Sequence, residues 1–555
     1  MDYKELGKIL FPNVNLSVDE LEKKYPKRNL VEGAKVTRFA PSPTGFVHMG
    51  SLLSAFEDYK FAKDSDGIFY LRIEDTDQKR SVENGISGIV RDLENFGIFP
   101  DEGMISETKS IGKYGPYLQS DRKDIYHAYA KHLVELGYAY PCFCSQEELD
   151  ETRKIQELNK ERIGYYGSYA KCRHLTIEEI KEKLANGEKF VLRFKSTGDF
   201  NKRITLHDEV RGDIEFPEND QDVVLVKSTD ELPTYHFAHV VDDHLMHTTH
   251  VMRGEEWIPS YPIHEQLFKA LGFEMPKYAH LGLVMKIDEE GTRRKLSKRK
   301  DPEASVEFYH EKGVPIEAVK IYLMTIANSN FEGWQDENPD INYNEFKLDF
   351  KKISESGSLF DVSKLFNISK NYISKMTSEE LYNELLTWTK EFDLELYDLM
   401  VKYENYVKDI FGIERYQDKP RKDYSCYSDI KNYIWYMFDE LFIPSDYQWQ
   451  KITDKNEIKL ILNTYFNEYY DSSDDKELWF NKVKELTDKL GYCSNMKEYR
   501  KNPDAYKGNV ADISTVIRVA MTSLSQTPDL YEILKLLGKE RITKRLNKLF
   551  DWKKV

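Results

Sequence analysis

Cysteine is scarce in this chain: Cys142, Cys144, Cys172, Cys426 and Cys493 are all there is in 555 residues. An odd, sparse set does not make a disulfide framework, so the expected setting is a reducing one, the cytoplasm. No run of about twenty apolar residues occurs, so the sequence predicts no membrane-spanning helix and no membrane partner. The stretch Met1 to Lys8 carries Asp2 and Glu5 and leads into no apolar run, unlike a secretory signal. Excess positive charge is also missing: 80 Lys+Arg stand against 96 Asp+Glu, a net −16. Alone, that balance argues against a nucleic-acid partner. Binding follows the local field, however, and the end of the chain is strongly basic from Gly538-Lys539-Glu540-Arg541 through Lys544-Arg545 and Lys548 to Lys553-Lys554. No internal repeat or low-complexity tract appears.

What is present reads as several folded domains. Hydrophobic residues make up 40% and the 37 tyrosines argue against wholesale disorder. Residues 1–35 form an extension with one helical segment, Ser17 to Lys24, opened by a serine N-cap. Val36 to Ala40 reads as a buried strand, His48 to Lys63 as a helix and Ile68 to Ile73 as a second strand, a βαβ unit of a parallel sheet. Further strand-like runs are Asp222–Lys227, Tyr235–Val241, Thr249–Met252 and His280–Lys286, with a helix from Trp257 to Gly272. A charged helical segment, Cys142 to Lys195, interrupts this α/β region. Beyond Phe331 the spacing turns helical, and 340–555 reads as all-α.

Two motifs carry chemistry. In Thr37-Arg38-Phe39-Ala40-Pro41-Ser42-Pro43-Thr44-Gly45-Phe46-Val47-His48-Met49-Gly50-Ser51 a strand ends in a Pro/Gly loop that feeds a helix N-terminus. Such a terminus offers unpaired N–H groups and a positive dipole to phosphate. Gly45 and Gly50 let a ligand approach the backbone, and His48 can donate to a phosphate oxygen. The second motif, Gly291-Thr-Arg-Arg-Lys-Leu-Ser-Lys-Arg-Lys300, is a basic loop able to close over a triphosphate. Alone it would read as a solvated basic loop. In order, the pair resembles the His-Ile-Gly-His and Lys-Met-Ser-Lys-Ser signatures of the class I aminoacyl-tRNA synthetases. Ser51 stands at the last position of the first signature, and Lys295 and Lys298 take the lysine positions of the second. Arg-Phe-Ala-Pro-Ser-Pro-Thr-Gly is more specific and is similar to the bacterial-type glutamyl-tRNA synthetases; the glutaminyl enzymes usually carry Pro-Glu-Pro-Asn-Gly there.

A glutamate pocket needs cations for two carboxylates and an anion for the ammonium, and arginine binds carboxylates bidentately. Arg38, Glu74 in Leu71-Arg72-Ile73-Glu74-Asp75-Thr76-Asp77, Tyr235 in Leu232-Pro233-Thr234-Tyr235-His236 and Arg253 in Val251-Met252-Arg253-Gly254-Glu255-Glu256-Trp257 are the candidates. The resemblance gives Arg38, Tyr235 and Arg253 to the carboxylates and Glu74 to the ammonium, with Ala40 and Ser42 lining the pocket. Val240-Val241-Asp242-Asp243-His244-Leu245-Met246 fits the same pattern, whereas Gly254 stands where the family usually has alanine. Cys142-Phe143-Cys144 and Cys172-Arg173-His174 supply four zinc ligands in two close pairs, a tetrahedral set. Zinc-bearing members of the family have such pairs around a Tyr-Gly segment, here Tyr165-Tyr166-Gly167-Ser168-Tyr169, and in some a tyrosine replaces one ligand.

Ser358-Leu359-Phe360-Asp361 and Ile517-Arg518-Val519-Ala520-Met521-Thr522 resemble the start and end of the family's helical anticodon-binding module, with Ser523 where glycine is usual and Arg518 as a tRNA contact. The resemblance implies a Rossmann-type α/β catalytic domain with an insertion, followed by an all-α module. Its expected boundaries are 1–35 for the extension, 36–140 for the first catalytic half, 141–215 for the insertion with the zinc knuckle, 216–340 for the second half with the Lys-Leu-Ser-Lys-Arg loop, and 341–555 for the anticodon module. The implied enzyme is a monomer using ATP with Mg²⁺, L-glutamate and tRNA(Glu). Glutamate forms an adenylate and passes to the terminal ribose, with His48, Lys295 and Lys298 at the phosphoryl group and His48, Gly50 and both lysines holding ATP. Three rivals remain in view. A short paralogue that glutamylates a tRNA base lacks the C-terminal module, a glutaminyl enzyme lacks Pro-Ser-Pro-Thr-Gly and the helical tail, and a catalytically dead paralogue would not keep both loops and all four pocket residues.

Overall fold

The computed structural model describes residues 2–45, 47–77, 82–297, 299–339, 341–444 and 446–550, and Lys298 lies outside them. Contacts divide the chain into two units, Met1–His310 with Val319–Val362, and Glu311–Ala318 with Ser363–Val555.

The first unit opens on α1 (Tyr3–Leu10) and α2 (Val18–Lys24). Ser17 caps α2 as expected: its hydroxyl accepts from Glu20 N, and Glu20 accepts from Ser17 N in return. β1 (Val36–Phe39) leads through the Pro/Gly loop into α3 (Met49–Lys63), and β2 (Ile68–Leu71) returns parallel to β1, with Val36 opposite Ile68 and Phe39 opposite Leu71. All four side chains of β1 are buried, as a strand covered on both faces requires. α4 (Gly85–Glu94), β3 (Glu102–Met104) and β4 (Ser110–Ile111) complete a sheet of order β1-β2-β3-β4.

α5 (Lys123–Glu135) leads to β5 (Ala139–Cys142), α6 (Gln146–Leu158), α7 (Ile177–Ala185) and β6 (Val191–Phe194). Then come β7 (Arg203–Asp208), β8 (Gly212–Pro217) and β9 (Val224–Val226). β5, β6 and β9 form an antiparallel sheet of their own. α8 (Tyr235–Leu245), β10 (His250–Gly254), α9 (Tyr261–Leu271) and β11 (Lys277–Leu281) follow, and β12 (Met285–Ile287) with β13 (Arg293–Lys295) makes a hairpin. The sheet β10-β11-β7-β8 is parallel at its first two pairings. It meets β1 at its edge: Thr249 N donates to Val36 O over 2.9 Å, and Val36 N donates to Thr249 Oγ1 over 2.8 Å.

Tyr235–Val241 was expected as a strand and is instead the start of helix α8. Its β-branched and aromatic content suggested a strand, but α8 is buried nearly all round, so no polar stripe betrays the helical period. Likewise His280–Lys286 divides into the end of β11 and the start of β12.

Among the described residues the regular elements of the second unit are all helices, Ser378–Phe392 and Leu530–Phe550 among them, around a core that includes Leu385, Met400, Ile461, Ile517 and Leu537. Ser523 ends the helix Val510–Thr522 in the left-handed region at φ +62, the conformation for which glycine is favoured. No helix among the described residues is long and apolar enough to cross a membrane.

Candidate active site

The Pro/Gly loop delivers the helix start it promised. Gly45 takes φ +137, which favours glycine, and Val47 N donates to the buried Asp92 carboxylate over 3.1 Å, tying the loop to α4. His48 is the N-cap of α3, and its Nδ1 accepts from Ser51 N over 3.0 Å. With Nδ1 accepting, the proton of the neutral ring sits on Nε2, 3.0 Å from the Ser51 hydroxyl. A Cβ on Gly50 would lie 3.2 Å from the His48 ring, so this helix start keeps its surface by lacking a side chain there.

A cleft of about 580 Å³ opens at the carboxyl ends of β1 and β10. It is lined by Arg38, Ala40, Ser42, Glu74, Tyr235 and Arg253, and also by His48, Gly50 and Lys295. Every described residue expected to hold glutamate or ATP therefore meets in one cavity.

Beneath it lies a charged floor in which Asp242 and Asp243 of the Val240–Met246 run meet the buried Arg72 and Arg122. Arg72 is fully buried and donates to Asp243 Oδ1 over 2.7 Å and to Glu74 Oε1 over 3.0 Å. Asp243 also accepts from Tyr70 and sits 3.5 Å from Arg38 Nε. Burial pushes the Asp243 carboxyl up, but Arg72 and Arg38 outweigh burial and hold it well below the carboxylate range. Asp242 accepts from Arg122 Nε over 2.6 Å, and from Gln119 and Tyr126 at 2.8 Å. Both aspartates sit on α8, so the helix that presents Tyr235 at its start anchors the arginines under the cleft at its end. Burial raises the Glu74 carboxyl, and Arg72 counteracts it. Glu57 on α3 also faces the cleft with an unpartnered buried oxygen, and burial pushes it up to about 8.

Arg253 has different surroundings. Its Nε donates to His280 Nε2 over 3.0 Å and its Nη1 to His264 Nδ1 over 2.9 Å, while the Tyr235 hydroxyl lies 3.5 Å away. The Tyr235 ring packs against Trp257 with centroids 4.1 Å apart. Gly254, where alanine was the usual residue, leaves room for the Glu256 carboxylate: a Cβ there would lie 2.1 Å from Glu256 Oε2.

Lys295 ends the β12–β13 hairpin, opposite Met285. Asp301 closes the base of the loop beyond it: Arg294 donates to both its oxygens at 2.6 Å, Ser297 N at 3.0 Å and Lys286 at 3.2 Å. The Arg294 guanidinium holds the Asp301 carboxyl well below its usual range. Aspartate 301 thus fixes a loop otherwise rich in like charges.

The cysteine knuckle forms with one change of partner. Cys142, Cys144 and Cys172 bring their sulfurs within 4.8 Å of one another. His174 is exposed and stands outside the group. The short helical turn Lys171–His174 carries Cys172 inward and leaves the residue two positions on facing solvent. Tyr165 takes the place beside the sulfurs, its hydroxyl 3.4 Å from Cys142 Sγ and 3.3 Å from Cys144 Sγ, and it accepts from Cys172 N over 3.1 Å. In the second unit Arg518 is half-buried and donates to Thr527 O and Oγ1 and to Pro528 O. It lines a depression with Arg421, Lys476, Lys484, Trp479 and Phe480.

A phosphate-ready helix start, a lysine hairpin and a carboxylate-ready pocket at the ends of parallel strands define a class I synthetase catalytic domain. Residues 35–366 match the family described as "tRNA synthetases class I (E and Q), catalytic domain", and residues 497–550 match "Anticodon binding domain". A protein of Clostridium beijerinckii named "Glutamate–tRNA ligase" is 47% identical over 554 residues, 99% of this chain and 100% of its own. One of the same name from Acetivibrio thermocellus is 48% identical over 550 residues, with the same coverage. A crystal structure of a glutamate tRNA ligase from Elizabethkingia meningosepticum, in complex with its amino acid, superposes with a TM-score of 0.76 at 28% identity, over 94% of this chain and 100% of that one. The chain belongs to the glutamate–tRNA ligases.

Proposed function

We infer that the chain activates L-glutamate with ATP and esterifies it to the 3′-terminal adenosine of tRNA(Glu), as a cytoplasmic monomer. The observation that carries this is that Arg38, Arg253 and Glu74 line one cleft together with His48, Gly50 and Lys295. Glutamate lies with its side-chain carboxylate on Arg38 and Tyr235, its α-carboxylate directed by Arg253 and its ammonium on Glu74, with Ala40 and Ser42 along the wall. ATP, with its Mg²⁺, lies along the start of α3. The α-carboxylate attacks the α-phosphorus, forming the glutamyl-adenylate and releasing pyrophosphate. His48 Nε2 donates to the phosphoryl oxygens, and Lys295 and Lys298 neutralise charge on the leaving pyrophosphate. The tRNA ribose hydroxyl then takes the acyl group and AMP departs. No side chain forms a bond to substrate; alignment and fixed charge supply the rate. Arg518 belongs to the tRNA-binding surface of the second unit.

Cys142, Cys144 and Cys172 suit zinc by chemistry and spacing, with the Tyr165 hydroxyl placed for a fourth bond. A zinc ion there would tie β5, α6 and the Lys171–His174 turn together and take no part in the reaction.

The test is glutamate-dependent ATP–pyrophosphate exchange with and without tRNA. Exchange with glutamate and not with glutamine supports the reading; exchange driven by glutamine, or none under any condition, overturns it.

A further inference from the structure

We propose that Asp208, His280, His264 and His236 form a relay of positioning residues that fixes the Arg253 guanidinium and leaves its charge unpaired until a substrate carboxylate arrives. The inference rests on the reading of Arg253 as a carboxylate ligand.

The relay starts at the end of β7. Asp208 is fully buried, and its Oδ1 accepts from Val210 N and Arg211 N, both at 3.0 Å. Its Oδ2 accepts from His280 N over 3.0 Å and lies 2.6 Å from His280 Nδ1. A carboxylate at Nδ1 selects the tautomer with its proton there, which turns the lone pair of Nε2 outward. That lone pair receives the Nε–H of Arg253. On the other arm, His264 Nδ1 accepts from Arg253 Nη1, so its proton sits on Nε2 and is donated to His236 Nδ1 over 3.0 Å. One hydrogen-bond direction therefore runs outward from Arg253 along both arms. Two bonds in the guanidinium plane fix that plane, and the Tyr278 ring lies beneath it, 4.6 Å from Cζ.

Both rings accept from Arg253 through a ring nitrogen, so both acceptors are neutral imidazoles. Burial pushes His264 well below, and His280 below, the usual imidazole range. Among the described residues no carboxylate lies within 4 Å of Arg253, whereas Arg72 is paired with Asp243 and Glu74 and Arg38 with Asp243. A glutamate at position 280 or 264 would orient Arg253 as well but would neutralise it, and an incoming carboxylate would then have to displace an ion pair. Imidazoles orient without neutralising. The desolvated cation can regain a counter-charge only from the cleft.

The test is a double-mutant cycle read by steady-state kinetics at saturating tRNA. His280→Phe should raise the KM for glutamate about ten- to a hundredfold, the loss of one hydrogen bond to a charged group, and leave the KM for ATP within about twofold. His280→Gln, a neutral acceptor, should restore most of it. In the Arg253→Ala background His280→Phe should add less than about twofold, because there is no longer a guanidinium to hold. His264→Leu, on the other arm, runs the same cycle independently. If Arg253→Ala raises the KM for glutamate while His280→Phe does not, the relay is wrong and the pocket stands. If the two effects multiply, or if His280→Phe weakens ATP as much as glutamate, the histidines are merely structural. If Arg253→Ala itself leaves the KM for glutamate unchanged, the carboxylate reading falls first.

Discussion

Arg38 and Arg253 reach one cleft from neighbouring strands, β1 and β10, and differ in what already touches them. Arg38 donates Nη1 to Met252 O over 3.0 Å and shares Asp243 with Arg72, so it lines the cleft already paired with a carboxylate. Arg253 rests on neutral rings. Glutamate and glutamine share an α-carboxylate and differ by one charge at the side chain. The arginine opposite the side chain therefore sets the choice, and the other serves both substrates. Hydrogen bonds to charged groups contribute roughly 1.5–3 kcal/mol, and stranding a buried charge costs more. Arg38→Ala is expected to raise the barrier for glutamate by at least that much and to change the glutamine rate far less, whereas Arg253→Ala should damage both about equally. Comparing kcat/KM for the two amino acids in both variants decides it. If Arg253 controls the discrimination instead, the two roles are exchanged.

At the scale of elements, the sequence made visible those pieces whose signal is local. Ser17 announced a helix start, Pro41 to Gly50 a loop feeding another, and Gly272 a helix end: Gly272 caps α9 at φ +70. What stayed hidden depends on distant partners. Asp208 meets His280 from 72 residues away, and neither carries a mark that distinguishes it from an ordinary surface residue. Helix α8 was hidden for the opposite reason, since burial nearly all round erased its period. The cysteine knuckle mixes both cases. The Cys-x-Cys pair and Cys172 were legible from spacing, but which fourth residue turns inward depends on the Lys171–His174 turn. The knuckle therefore makes its own prediction. Purified protein should carry about one zinc per chain, Cys144→Ser should lose most of it, and Tyr165→Phe should weaken retention while His174→Ala leaves it unchanged. Metal analysis of the variants checks this, and a fully active wild-type protein free of metal would remove the site.

For the whole molecule, the first thirty-five residues are part of the catalytic unit rather than an appendage. Leu6, Leu21 and Tyr25 are buried, and Arg28 donates to both oxygens of Glu102 at 3.0 and 2.8 Å and to Met246 O at 2.9 Å, just beyond α8. Arg28 also stacks on the Tyr114 ring, with Cζ 3.8 Å from its centroid. Breaking a buried pair by removing one partner typically costs about 3–5 kcal/mol, and Arg28→Ala is expected to destabilise the first unit on that order. Its urea midpoint should fall with an unchanged slope, and an unchanged midpoint would show that the extension contributes nothing to the unit. The junction of β1 with β10 has a further consequence, for the order in which the chain is made. Val36 pairs with Thr249 across 213 positions, so the amino-terminal strand leaves the ribosome long before its neighbour exists. At about 5–20 residues per second, a span of that length takes roughly 10–40 s to synthesise. Through that interval the backbone edge of β1 that faces Thr249 has no native partner, and the cleft lined from β1 and β10 cannot close before the nascent chain reaches β10.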